Sequence, residues 1–270
     1  MKEKIKIIQR YRGKYLYGDV VQADALIYLR SLKPETADII FFDPPFNLGK
    51  VYNKRNKKLD SKPKDTYREW MNSILREGAR VLKEGGALYL YHIPSWAMRF
   101  GNYLDKYLDF NHWIAISMKN GFMRGNRLYP AHYALLMFAK GKPQYFTRPK
   151  IEPKKCKCGR YIKDYGGYRA IIEERGINLS DYWDDLSPVR HANRKHREAN
   201  ELPKLLFERV IEISGAPGIV YLDPFAGAGS GVIAAARARL EFKACDIVPA
   251  NCRLICKRLK RLKNILIKEK

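Results

Sequence analysis

A three-layer α/β sandwich around a mostly parallel sheet is the fold class that this 270-residue chain predicts. Three observations carry that reading. Short β-branched and aromatic runs alternate with amphipathic helical stretches in both the first half and the last quarter of the chain. Two of those runs stop abruptly at Asp-Pro, at Asp43 and Asp223, so a carboxylate sits at the carboxyl end of a buried strand, where open α/β sheets place their sites. Hydrophobic residues make up 46% of the chain and aromatics 12%, which supports a sizeable core and excludes a disordered tail protein.

The elements follow in order. A first unit runs from about Tyr15 to Phe46, with Val20 and Val21 and the apolar residues around Leu26 and Leu29 leading into the strand Ala37–Phe42. Residues 47–66, holding Lys50, Lys54, Arg55, Lys57, Lys58, Lys62 and Lys64, read as a basic loop. Tyr67 to Leu82 has helical spacing (Trp70, Ile74, Leu75, Ala79, Leu82), with Gly85-Gly86 as its C-cap and Ala87–Tyr91 as the next strand. A second helix and strand share residues 95–118, and Tyr133–Phe138 is a further strand.

Residues 141–199 break the alternation and read as a loop-rich insertion into one domain formed by 15–140 and 200–266. Alternation resumes with a helix, Leu202 to Ser214, and a strand, Ile219–Leu222. The glycine turn Asp223–Ser230, a helix from Gly231 to about Ala238, and a strand, Phe242–Cys245, ending at Asp246, come next. A last helix carries Leu254, Ile255, Leu259, Leu262 and Leu266 on one face.

The charge narrows the partner. Fifty-two Lys and Arg against 28 Asp and Glu give a formal net charge of +24, which favours a polyanion, nucleic acid ahead of an acidic membrane surface. No apolar run is long enough to span a bilayer, and the first residues, Met1-Lys-Glu-Lys, lack a signal peptide's apolar core. A soluble, cytoplasmic chain is therefore expected. The cysteine count is odd, at five, and no disulfide framework is expected. Cys156 and Cys158 are spaced too tightly for a Cys-x2-Cys metal site, and His191 and His196 would have to complete it, so no metal is assigned.

Two motifs carry chemistry. A strand, a Gly-x-Gly turn and a helix hold nucleotide-like ligands, because Gly227 and Gly229 let backbone approach closely and the helix start offers free N–H groups. Asp246, ending the next strand, can accept ribose hydroxyls. Val232 breaks the Gly-x-Gly-x-x-Gly pattern of a dinucleotide site; a tight turn with no ligand is the plainer alternative. The second motif is Asp43-Pro44-Pro45-Phe46. An exocyclic amino group on a nucleobase is a poor nucleophile because its lone pair is delocalised into the ring. Two acceptors, Asp43 and the Pro44 carbonyl, draw that nitrogen toward tetrahedral geometry and free the lone pair for attack. Phe46 offers a face for a base taken out of the duplex.

On these two motifs the chain resembles the DNA amino-methyltransferases, which move a methyl group from S-adenosylmethionine to adenine N6 or cytosine N4. The resemblance spans roughly Val21 to Lys257. It implies a Rossmann-like, S-adenosylmethionine-dependent methyltransferase sandwich. The catalytic motif at 43–46 precedes the cofactor turn at 223–230, the order of the circularly permuted beta subgroup, in which the target-recognition region lies between the two. Asp43, Pro44, Pro45 and Phe46 are then catalytic, and Asp24, Asp223, Phe225, Gly227, Gly229, Ser230 and Asp246 bind the cofactor. Asn200-Glu-Leu-Pro-Lys204 sits where relatives contact the methionine end, though it departs from their wording. Asp rather than Ser at 43 is the adenine form of the motif in this family, so the resemblance implies adenine N6 in double-stranded DNA as the target and cytosine N4 as the alternative, since either side chain is able to hold an amino group.

Double-stranded DNA is the implied partner, with a cognate restriction nuclease and a homodimer as further partners the family allows. Lys54, Arg55, Lys57 and Lys58, and Arg190, Arg194, Lys195 and Arg197, are the candidate DNA contacts, read as phosphate grips. Ribosomal RNA relatives place the cofactor turn first, and cytosine C5 enzymes need a Pro-Cys nucleophile that this chain lacks. An RNA-base methyltransferase and a catalytically dead DNA-binding module are the competing classes.

Overall fold

The computed structural model describes residues 5–48, 61–117, 128, 130–156, 158–160, 166–186 and 201–268. Among them the chain runs β1 (Lys6–Arg12), β2 (Tyr17–Gln22), α1 (Ala25–Ser31), β3 (Ala37–Phe42), α2 (Lys64–Val81), β4 (Leu82–His92), α3 (Pro94–Leu104), β5 (Asp109–Ser117) and β6 (His132–Ala139). It continues with β7 (Lys150–Ile151), α4 (Arg169–Arg175), β8 (Ile177–Asn178), β9 (Tyr182–Trp183), α5 (Lys204–Ser214), β10 (Val220–Asp223), α6 (Ser230–Arg237), β11 (Glu241–Asp246) and α7 (Pro249–Lys268).

One large sheet has the order β1-β2-β11-β10-β3-β4-β6-β5-β9. Its centre, β2 through β4, is parallel, and β6 runs antiparallel between β4 and β5. Strand alternation sorts the core into two layers. Ile40, Phe42, Leu88 and Leu90 pack with Tyr67, Met71, Ile74 and Phe100 of α2 and α3. Ile39, Phe41, Tyr89 and Tyr221 pack with Leu206, Phe207, Val232 and Ile255 of α5, α6 and α7. All six residues of β3 are buried, as a central strand covered on both faces requires.

The crossovers create the site. From β3 the chain passes through α2 to β4 on one side, and from β10 through α6 to β11 on the other. Strands β3 and β10 are neighbours, paired at Tyr221–Ile39 and Leu222–Ile40, and the chain leaves their carboxyl ends in opposite directions, the switch point at which open α/β sheets form a crevice.

Several details differ from the sequence reading. β1 was not anticipated, because this edge strand is almost wholly exposed and shows no hydrophobic period. The Gly85-Gly86 pair does not cap α2; the helix passes into β4 at Leu82, and Gly85, at φ +72°, lies where the β3–β4 register shifts by three residues, from Ala37–Leu82 to Ile39–Ala87. Leu254 is exposed, since it sits about 100° around α7 from the buried Ile255, Leu259, Leu262 stripe. Cys156 and Cys158 are bonded to each other, a local link rather than a framework. Within 141–199, β9 joins the main sheet beside β5 and buries Trp183. Behind it the guanidinium of Arg209 on α5, itself buried, grips Asp185 through both nitrogens, one at 2.8 Å.

Candidate active site

Four carboxylates line the crevice in sheet order. Asp24, Asp246, Asp223 and Asp43 stand at the carboxyl ends of the neighbouring strands β2, β11, β10 and β3. Asp24 N-caps α1, its Oδ1 accepting from the N–H groups of Leu26 at 2.9 Å and Ile27 at 3.3 Å. Asp246 accepts from Gly227 N–H at 2.8 Å, Val248 N–H at 2.7 Å and Asn251 Nδ2 at 3.1 Å. Even so, burial pushes its carboxyl up to about 6. Asp223 accepts from Phe225 N–H at 3.1 Å. Burial raises its carboxyl well above the carboxylate range, and the charges of Asp43 and Asp246 raise it further. Asp43 keeps some water contact, yet loss of solvent lifts its carboxyl to about 7.

The glycine turn is held from below. Gly229 adopts φ +83°, and a Cβ there would lie 2.6 Å from Ile255 on α7, so only glycine fits. Ser230 donates to Glu201 at 2.7 Å. Arg258 pairs with the same carboxylate at 2.7 Å and donates to the Ala228 carbonyl at 2.8 Å. Glu201 lies in the Asn200–Lys204 segment that the resemblance sets against the methionine end; its pairing with Ser230 and Arg258 was not read from the sequence. Phe225 turns inward, edge-on to Trp70 at 6.0 Å and to Phe42 at 6.1 Å.

The Asp43-Pro-Pro-Phe segment leaves β3 and crosses beside β4. Phe46 is nearly buried, stacked on His92 at 4.6 Å and beside Tyr91 and Tyr133 at 5.9 and 5.8 Å. Tyr91 and Tyr133 face Asp43 closely enough that its charge helps raise both phenols. Tyr91 was legible in principle, since it stands next to last on β4, the strand paired with β3. Tyr67 donates to the Pro45 carbonyl at 2.6 Å. Asn47, next to the motif, pairs its side-chain amide with both backbone groups of Lys62, at 2.7 and 2.8 Å, just ahead of α2. Lys54, Arg55, Lys57, Lys58, Arg190, Arg194, Lys195 and Arg197 lie outside the described residues, as do His191, His196 and Asn200. Among the described residues no three His, Cys, Asp or Glu groups cluster as a metal site.

A parallel sheet with both motifs at one switch point is the methyltransferase sandwich. The chain belongs to the N6_N4_Mtase family of DNA methylases, whose model matches residues 37–257. It is 42% identical over 245 residues to the Type II methyltransferase M.BamHI of Bacillus amyloliquefaciens, covering 90% of this chain and 57% of that one. The chain thus spans a little over half the length of that relative. Its fold matches the PvuII DNA methyltransferase (cytosine-N4-specific) at a TM-score of 0.63 with 15% identity, over 92% of this chain and 90% of that one. The M1.HpyAVI–SAM complex matches at 0.53 with 19% identity, over 88% and 98%.

Proposed function

We propose that this chain transfers a methyl group from S-adenosylmethionine to the exocyclic amino group of a base in double-stranded DNA. The observation that carries the reading is the convergence of the glycine turn and Asp43-Pro44-Pro45 on one crevice between β3 and β10. The donor set fits the cofactor. In a chain of net charge +24, four carboxylates gather at this one place, a surrounding suited to a ligand bearing a sulfonium and an ammonium group.

Asp246 spends three acceptor sites on Gly227, Val248 and Asn251 and keeps one for a ribose hydroxyl. Asp24, Asp223, Phe225, Gly227, Gly229 and Ser230 complete the cofactor wall. Bound there, S-adenosylmethionine supplies an electrophilic methyl group.

Asp43 and the Pro44 carbonyl accept the two protons of the base's amino group, so its lone pair faces the methyl. Pro44 and Pro45 have no N–H, so two successive residues place no competing donor beside the Pro44 carbonyl. As the N–C bond forms the nitrogen becomes cationic and gives up a proton, which a carboxylate near neutrality is suited to receive. This geometry serves adenine N6 and cytosine N4 alike.

Residues 141–199 form the target-recognition region in this reading, and Lys54, Arg55, Lys57, Lys58, Arg190, Arg194, Lys195 and Arg197 grip the duplex. A paired restriction nuclease and a homodimer belong to the same proposal and are checked by co-purification and sedimentation. No helix among the described residues is long and apolar enough to cross a membrane.

The test is incubation with unmethylated genomic DNA and methyl-labelled S-adenosylmethionine, then nucleoside digestion and mass spectrometry. N6-methyladenine or N4-methylcytosine supports the proposal and identifies the base. Label confined to RNA, or cofactor binding with no transfer, overturns it.

A further inference from the structure

A buried hydrogen-bond chain ends on the catalytic motif. The Ile93 backbone N–H donates to His92 Nδ1 at 2.8 Å. A backbone N–H only donates, so Nδ1 is the bare nitrogen, and a neutral imidazole must then carry its proton on Nε2. That proton faces the Tyr67 hydroxyl at 2.8 Å, and the Tyr67 proton goes to the Pro45 carbonyl at 2.6 Å. The direction of every bond is thereby fixed. Tyr67 is 1% exposed and His92 fully buried, and burial pushes His92 down to about 3, so the ring stays neutral at any working pH.

Resting on the methyl-transfer reading above, we infer that Tyr67 and His92 are positioning residues for the Asp43–Phe46 segment. They claim the Pro45 carbonyl for the protein and so leave the Pro44 carbonyl and Asp43 for the amino group of the target base. The need arises from the motif itself. Two prolines end the strand and supply no N–H, so no sheet ladder steers the segment beyond Phe42. His92 grips it twice, through Tyr67 to Pro45 and through its ring face to Phe46 at 4.6 Å. Trp96 packs edge-on to Tyr67 at 4.9 Å and stacks on Phe100 at 5.3 Å, which fixes the relay from behind. One turn along α2 from Tyr67, Trp70 packs on Phe225 of the glycine turn. A single helix thus sets the position of both motifs, and misplacement by about 1 Å costs on the order of 100-fold in rate.

The test compares Tyr67→Phe with Tyr89→Phe. Tyr89 also loses a buried hydroxyl bond, to Ser214 at 2.7 Å, but on the opposite face of β4. Both variants should melt lower and bind S-adenosylmethionine within about twofold of wild type. Only Tyr67→Phe should lose kcat on DNA, by roughly 10- to 100-fold. Equal kcat in the two variants overturns the relay. Imidazole ¹⁵N NMR of the full chain without DNA gives a readout independent of activity. A neutral His92 protonated on Nε2 supports the relay, whereas an Nδ1-protonated or charged ring overturns it. A wild-type chain that shows this His92 signal yet methylates no DNA overturns the methyl-transfer reading instead.

Discussion

At the residue scale the decisive group is Asp43. Its folded carboxyl titrates near 7 through burial, so between the ordinary carboxylate range and neutrality the folded chain holds a proton that the unfolded chain has released. Stability from this group is therefore present below that window and lost as pH rises through it. Above pH 7, Asp43→Asn should raise stability by on the order of 1 to 2 kcal/mol once residual solvation is allowed for, seen as a higher melting temperature, while abolishing turnover and sparing cofactor binding. Calorimetry paired with the label assay checks both halves; a variant that is active, or less stable at pH 8, contradicts the assignment. In wild type kcat/KM should climb on the alkaline side of about 7, as the carboxylate form accumulates. Asp43 was legible because a carboxylate followed by two prolines ends a run of apolar residues. Tyr67 and His92 were not, because their role comes from a fold that brings the start of α2 against the end of β4. In the sequence Tyr67 read as one more helical aromatic, and His92 fell just past the strand read at Ala87–Tyr91.

At the element scale the turn between β10 and α6 depends on two supports, Asp246 on one side and the Glu201–Arg258 pair on the other. Gly229→Ala would drive a methyl into Ile255 and strain a left-handed residue. It should weaken cofactor affinity at least tenfold by titration calorimetry and cost about 1 to 3 kcal/mol of stability. The glycine spacing made this turn readable; Glu201 was read only within the Asn200–Lys204 segment, and its pairing with Ser230 and Arg258 stayed hidden because partners 29 or more residues away leave no local pattern.

A second joint ties α5 to the tail of the insertion. Asp185 shields the buried Arg209, which also lies over the Trp183 ring at 5.2 Å. The Arg209 hydrogen bonds hold the Asp185 carboxyl below its ordinary value. Its stabilising contribution is present above the ordinary carboxylate range and disappears as pH falls through the lowered folded value. Asp185→Ala should cost about 1 to 3 kcal/mol at pH 7 and much less below pH 3, measured by denaturant melts across pH.

At the scale of the whole molecule, charge is segregated: a strongly basic chain reserves a row of acids for its crevice. The alternation of strands and helices was readable because each central strand is apolar on both faces. The exposed β1, and the way β9 returns to the sheet, left no such trace. The pairing of β3 with β10 has a further consequence, for synthesis. Residues 37–42 leave the ribosome long before 220–223 exist, so a nascent chain carries the Asp43–Phe46 segment beside an open, buried-type strand edge until residues 220–223 arrive. Such late, long-range closure slows folding and exposes the chain to aggregation. A fragment ending at residue 200 should sediment as aggregate when made alone and become soluble when residues 201–270 are co-expressed; a soluble fragment with its own cooperative melt would contradict this. In the methyl-transfer reading proposed above, competence waits on the synthesis of the glycine turn, so a chain stalled before residues 223–230 stays silent.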